Sequence, residues 1–306
     1  MSYSHINYSK RDKNFYKGNI FQSDMKYKKF RKNVNKSMPG WYTITPDDLM
    51  MNQIDTNVDM DTIEYRMEES KAQGYKVIDL SHLELDEFPK LPEQIEIIFA
   101  SNNNFTIIPD LTSYNLKCLD LSNNKLTKCP KTKNIEELNI SNNLIKNIDI
   151  LKNLEIIRLD ISKNQIKNIP YIKKIQRLEA RDNIIEIINT YNTLKDLRIK
   201  NNCVKKIPSM ENLEIIDCIN NKLEIIEDQS SMREFYANNN NIKKINRMPA
   251  IRVLSLYKNP INSIKLIFNN ITNLVVDNKD FYIPKQLINK IKKKSIFDKE
   301  IIELEF

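Results

Sequence analysis

Residues 116–130 read LKCLDLSNNKLTKCP, which sets Leu116, Leu119, Leu121, Asn124 and Leu126 on the frame L-x-x-L-x-L-x-x-N-x-L. Working outward from this stretch, the frame recurs, and its asparagine marks each copy: Asn103, Asn124, Asn143, Asn164, Asn183, Asn202, Asn221, Asn240 and Asn259. The successive spacings are 21, 19, 21 and then 19 residues throughout. A register kept this long defines a repeat architecture, in which each unit buries its apolar face against its neighbours alone. The frame decays at both ends. Leu83 takes the asparagine position in a copy around Ile78, Leu80 and Leu85, and Lys279 takes it in a copy around Leu274, Val276 and Phe281. Such decay is expected of terminal, capping units.

In the x-L-x-L-x part of the frame alternate side chains point to opposite faces, as a strand requires. Pairs such as Leu159/Ile161 and Leu197/Ile199 are therefore predicted to enter the core, with Asp160 and Arg198 facing outward. Stacked, these short strands make a parallel sheet along one side of the coil. The asparagine amide offers a donor and an acceptor to backbone groups where the chain leaves the strand, so a column of them ties coil to coil. Proline follows an apolar residue on the far side of several coils, at Pro109, Pro130, Pro170 and Pro208. Proline donates no amide hydrogen and limits helix. With 19–21 residues per coil there is little room for one anyway. The predicted fold is an α/β-type solenoid with a curved parallel sheet on the concave side, extended, turn or short 3-10 segments on the convex side, and a helical N-cap.

The frame resembles the leucine-rich-repeat family over residues 76–284. The length of the coils, and residues 88–109 (FPKLPEQIEIIFASNNNFTIIP), resemble the short repeats of secreted bacterial effectors, whose pattern Leu91, Pro92, Ile95, Ile98, Ser101, Asn103 and Phe105 follow. Several effectors of that type carry a cysteine ubiquitin-ligase domain after the repeats. No such domain is expected in a chain that ends at Phe306. The resemblance implies a protein-interaction module that binds a partner on its concave face and does no chemistry of its own. Two other readings stay open: a nucleic-acid-associated protein, and a substrate-recognition subunit of a ubiquitin ligase assembled from several chains.

The net charge of +8 is unevenly placed. Residues 1–40 hold ten Lys/Arg and two Asp, residues 41–70 hold eight Asp/Glu and one Arg, and the rest carries +7. Residues 1–40 lack periodicity and read as a basic, solvated, disordered arm that folding does not require; Lys26 to Lys32 would supply the nucleic-acid contact of the alternative reading. Residues 41–75 read as a helical cap. One helix begins at Thr45-Pro46-Asp47; a second begins at Asp61, whose carboxylate makes a capping-box-like pair with Glu64, presents Ile63 and Met67 inward, and stops at Gly74. Residues 285–306 are expected to close the last coil with a short helix.

No apolar run reaches the length of a membrane span, and residues 1–13 (MSYSHINYSKRDK) lack the apolar core of a secretory signal. The four cysteines form no C-x-x-C pair, and two histidines, His5 and His82, offer no metal spacing. No phosphate loop, nucleophile elbow or carboxylate pair stands out, so no catalytic residue, metal or cofactor is assigned. The expected protein is an intracellular monomer, cytoplasmic or nuclear. Candidate binding residues are those that depart from the repeat on the outward face: an acidic column at Asp120, Asp160 and Glu179, a basic pair at Arg181 and Lys200, and two exposed tyrosines, Tyr236 and Tyr257, expected to form one patch with Arg198 two coils before Tyr236. Tyrosine and arginine are favoured where interfaces concentrate binding energy.

Overall fold

The computed structural model describes residues 62–72, 74–263, 270–276, 282–291 and 293–296. The basic arm, the helix expected from Thr45 and the Lys279 position lie outside them. The concave strands are three residues long and follow the frame: β1 (Val77–Asp79), β2 (Ile97–Phe99), β3 (Cys118–Asp120), β4 (Glu137–Asn139), β5 (Arg158–Asp160), β6 (Arg177–Glu179) and β7 (Asp196–Arg198). Beyond β8 (Lys206–Ile207), the concave series continues as β9 (Ile215–Asp217), then, past β10 (Ile225–Ile226), as β11 (Glu234–Tyr236), β12 (Val253–Ser255) and β13 (Asn273–Val276). All pair in parallel with the next concave strand, and their central residues form one row: Leu119, Leu138, Leu159, Leu178 and Leu197 pass register from coil to coil. That row and the following inward residue, Ile161 or Ile199 for example, are buried in a single continuous core.

The convex side is extended, as the prolines and coil length predict. β8 and β10 pair there in parallel, Asn168 and Ile187 bridge in the same way, and one coil makes a 3-10 turn at Asp149–Leu151.

Each frame asparagine joins two coils. The Asn164 Nδ2 donates to the Ile140 carbonyl of the preceding coil at 2.9 Å, and to Ile161 and Ser162 of its own at 3.1 and 3.2 Å. Its Oδ1 accepts from the Ile145 N–H, again in the preceding coil, at 3.0 Å. Asn202 repeats this set on Ala180, Ile199, Lys200 and Ile185, and the other seven follow, from Asn103 on Leu80 and Leu85 to Asn259 on Ala237 and Ile242. All nine are buried.

The residue before each frame asparagine sits at positive φ, 52–57°, from Asn102 to Lys258. An L-residue there is strained, and Asn or Asp least so, which explains why the sequence so often doubles the asparagine. Side chains at this position form a second ladder on the rim: Asn142 donates to Asn123, Asn220 to Asn201 and Asn239 to Asn220, at 2.6, 2.7 and 2.8 Å. Lys163, at φ 54°, falls between the Asn142 and Asp182 positions. Lys163→Asn is therefore expected to raise stability by up to about 1 kcal/mol, the gain typical of relieving such a site. Urea denaturation checks it; an unchanged or lower midpoint would show that the lysine's own contacts outweigh its backbone strain.

Before the first strand, α1 (Ile63–Ala72) is capped by Thr62, whose Oγ1 accepts the Tyr65 N–H at 3.2 Å; the expected start near Asp61 is thus met within a residue, and Asp61 itself, with its pair to Glu64, lies outside the described residues. It ends with Gly74 at φ 66° and the paired bonds Gly74 N–H to Lys71 O and Tyr75 N–H to Ser70 O, a Schellman stop. Its fully buried residues are Arg66 and Ser70; Ile63 and Met67 are only half-buried. Arg66 lies 3.7 Å from the Asp79 carboxylate and so ties α1 to β1. At the other end the chain makes one helical turn, α2 (Lys285–Ile288), then adds a further parallel strand, β14 (Lys293–Ile296), to β13. The expected short helix is thus one turn, and the sheet continues past it.

Candidate functional site

The candidate surface is the concave face, built from three columns. The middle column runs between the two inward residues of each strand and holds Asp79, Phe99, Asp120, Asn139, Asp160, Glu179, Arg198, Asp217, Tyr236 and Ser255. Two residues on stand Ser81, Ser101, Ser122, Ser141, Ser162, Arg181, Lys200, Ile219, Asn238 and Tyr257.

Most of the acidic column is turned onto its own backbone. Asp79, Asp120 and Asp160 each accept the N–H two residues on, from Ser81, Ser122 and Ser162, all at 2.9 Å. Asn139 does the same for Ser141 at 3.0 Å without a charge, and Asp217 reaches Ile219 at 3.4 Å. This local turn uses an Asp or Asn side-chain oxygen to hold the strand's exit. Asp120 is 4% exposed, and burial pushes its carboxyl up to about 6 against the hydrogen bonds from Ser122 and Asn139. Burial raises Asp160 as well, helped by the Glu179 charge facing it.

Glu179 is too long for that turn and serves an ion-pair network instead. The Arg177 Nε donates to its carboxylate at 2.9 Å, and the Arg181 guanidinium lies 3.7 Å away. Burial raises Glu179, but Arg177, Arg181 and Arg198 outweigh it and hold the group below its ordinary value. Arg177 also reaches Asp196 at 3.4 Å, and Arg198 donates to Asp196 at 3.0 Å. The structure thus brings Glu179, Arg181 and Arg198 together, but as members of one compensated cluster in which Arg198 is buried, contrary to its reading as an open basic residue. Lys200 is half-buried; with Arg181 and Arg198 it offsets the burial that raises Asp217.

Tyr236 and Tyr257 are half-buried, not fully exposed as their positions suggest. The Tyr236 hydroxyl donates to Glu234 at 2.9 Å, and the Lys258 ammonium lies 5.4 Å from the centre of the Tyr257 ring. Tyr236 stands beside Asp217 and Ser255 in register, and Tyr257 two residues past Ser255, so the rings lie on adjacent coils.

A third column, just ahead of the central leucine, escaped the sequence reading although the same period of two points it outward: Val77, Ile97, Cys118, Glu137, Arg158, Arg177, Asp196, Ile215 and Glu234. It supplies Arg177 and Asp196 to the network, and Glu137 to Arg158 at 2.6 Å. Burial raises the Glu137 carboxyl, opposed by Arg158. At its N-terminal end Ile97, Phe99 and Cys118 form an apolar cluster of their own, with Val77 packed against it, separate from the main core.

Among the described residues no group of His, Cys, Asp and Glu is placed to hold a metal ion, and no helix is long and apolar enough to cross a membrane.

A Leucine Rich Repeat family model matches residues 115–132, the coil around Asn124. No curated protein sequence matches the chain. Among solved structures the chain is similar to YopM from Yersinia enterocolitica WA-314, at 15% identity and a TM-score of 0.54, covering 80% of this chain and 71% of that one. The APL1 leucine-rich repeat domain is 16% identical with a TM-score of 0.60, over 75% of this chain and 65% of that one, just under two thirds of its length. YopM from Yersinia pestis is 20% identical with a TM-score of 0.51, over 70% and 69%. At these identities the likeness concerns the fold alone. The asparagine frame, the parallel one-row solenoid it builds and the matched repeat together give this chain the leucine-rich-repeat fold.

Proposed function

We propose that this protein is a non-enzymatic, intracellular interaction module, acting as a monomer, that holds a protein partner on the concave face at the coils of β9, β11 and β12. The observation that carries this reading is the placement of Tyr236 and Tyr257, half-exposed on adjacent coils, where the core rows are already filled by Phe235, Ala237, Leu254 and Leu256. Neither ring is needed for the core, and large amphipathic rings at the surface supply binding area at low entropic cost. Asp120, Asp160 and Glu179 support the face from within, since their carboxylates already serve a turn or an ion pair. Four free thiols suit a reducing compartment.

The test is the double variant Tyr236→Ala/Tyr257→Ala. Proteins captured by the native chain are identified, and the affinity of each for native and variant chain is measured. A partner of this face loses about 2 kcal/mol or more, roughly thirtyfold in affinity. Thermal stability should move by less than about 1 kcal/mol, as for surface sites. Binding that survives the double variant would place the partner elsewhere. Loss of fold along with binding would make the tyrosines structural.

A further inference from the structure

From Asn124 to Asn240 each coil leaves the concave sheet in the same way. The second residue after the frame asparagine enters the core, and the first, third and fourth are exposed, with Cys203 alone half-buried. Bonds between coils hold these outward residues in three columns. In the first, the Leu144 N–H donates to the Leu126 carbonyl at 2.8 Å and the Lys222 N–H to Val204 at 3.0 Å. In the last, Asn168 pairs with Ile187, and Lys206 with Ile225. Seven coils about 4.8 Å apart make a strip roughly 30 Å long, and four residues of extended chain make it roughly 10 Å wide.

Of the 21 residues in this strip nine are Lys and two Glu, with no Asp or Arg. The segments by which the same coils return to the sheet are 130–136, 149–157, 170–176, 189–195, 208–214, 227–233 and 246–252. They also carry nine Lys and Arg, but against seven Asp and Glu. A lysine-rich composition thus supplies both flanks alike, and the strip differs by its lack of acids, which leaves it at a formal +7. Lys167 lies 3.2 Å from Glu186, and Lys206 lies 2.5 Å from Glu227. The other seven lysines, Lys146, Lys205 and Lys222 among them, form no ion pair among the described residues.

Apolar side chains gather in the same strip. Of the six large ones exposed in these coils, four belong to it: Leu144, Ile184, Ile187 and Ile225. Near its centre Ile187, Cys203, Lys205, Lys206, Pro208 and Lys222 line an open groove of about 580 Å³. An apolar centre with a charged rim is the usual anatomy of an interface. A phosphate backbone would use the lysines but gain nothing from the aliphatic groups. A lipid surface is commonly met through aromatic anchors, and none of the 21 residues is aromatic. An amphipathic helix with acidic and aliphatic sides uses both. Its diameter of about 10–12 Å, and the roughly 30 Å length of 20 residues, match the strip.

We propose that this flank is a second interaction surface, separate from the concave face, and that it binds an acidic amphipathic helix of a partner protein. The aliphatic side of the helix lies on Ile184, Ile187 and Ile225, and its carboxylates face Lys146, Lys205 and Lys222.

The probe is a fluorescein-labelled synthetic helix of about 20 residues, with Leu along one side and Glu elsewhere. Its binding to the full chain is followed by anisotropy at physiological salt, and the fold of every variant is checked by thermal melting. Because residues 1–40 are basic, two variants of equal charge are compared. Lys146→Glu/Lys205→Glu/Lys222→Glu, on the strip, should weaken binding at least about tenfold. Lys133→Glu/Lys152→Glu/Lys195→Glu, exposed on the returning flank, should stay within about twofold of the native chain. Ile187→Thr/Ile225→Thr should weaken binding at least about fivefold, whereas the concave variant Tyr236→Ala/Tyr257→Ala should bind the probe as the native chain does. The two lysine variants decide the matter if the isoleucine variant melts early. Absence of binding, equal losses in the two lysine variants, or undiminished binding of a probe with Ala in place of Leu overturns the proposal. A DNA duplex of about 12 base pairs, or a phosphatidylserine vesicle, held more tightly than the probe through the same three lysines also overturns it, in favour of a nucleic acid or a lipid surface.

Discussion

Asn164→Ala is expected to lower the unfolding free energy by about 2–3 kcal/mol, and Asn202→Ala by a similar amount. Truncation leaves the Ile145 N–H without its acceptor and the Ile140 carbonyl without its donor, both buried between coils. Each buried backbone group stripped of its partner costs about 1–3 kcal/mol. Asn202 does the same for Ile185 and Ala180, so the effect belongs to the frame position and not to one site. Guanidinium denaturation of each variant checks it. Unchanged midpoints in both would mean that water or backbone adjustment replaces the amide, and that the asparagine register has another origin.

The second large effect has the opposite sign. Asp120→Asn should stabilise the protein at pH 7 by about 1–3 kcal/mol and have little effect near pH 4. The folded-state value of about 6 stands above the ordinary 3.8, so between those limits the folded chain holds a proton that the unfolded chain has released. The folded state therefore loses stability as pH rises through that window, and the loss is complete above it. About two pKa units correspond to at most about 3 kcal/mol. Asparagine removes the titration and keeps the turn, as Asn139 demonstrates one coil on with its bond to the Ser141 N–H. Unfolding measured at pH 4 and pH 7 separates the readings. A variant less stable than the native chain at pH 7 would mean that the Asp120 charge has a cationic partner in the folded protein.

The fold was readable because the repeat multiplies a weak local signal. Any single x-L-x-L-x stretch is ambiguous, but nine asparagines in register exclude a helical period and fix both the sheet and the coil length. The site was less readable, for reasons that differ by residue. Asp120 and Asp160 look like free surface charge until the backbone of the turn is known, since nothing in their identity distinguishes a carboxylate aimed at solvent from one aimed at the N–H two residues on. The arrangement D-x-S, with N-x-S in its place at Asn139, was the available sign. Arg181 and Lys200 read as a local basic pair, and Arg198 as part of the tyrosine patch, because Arg177 and Asp196, one column over, do not read as outward. At the ends the cap falls on Thr62, next to Asp61, and the expected short helix is a single turn at Lys285–Ile288 that β14 follows.

The bonds that the frame asparagine side chains make between coils all point one way. From Asn103 to Asn259, each side chain reaches back to the coil that precedes it and never forward. A coil leaving the ribosome is therefore unfinished until the next 19–21 residues bring the asparagine that bonds its carbonyl and amide. Synthesis from the N-terminus supplies these closures in the order the structure needs them, one coil behind the growing end. Nascent chains halted at successive lengths should accordingly gain protease resistance in steps of one repeat, each step trailing the emergence of a coil by one unit. Resistance gained all at once, near full length, would mean that closure waits for the whole sheet.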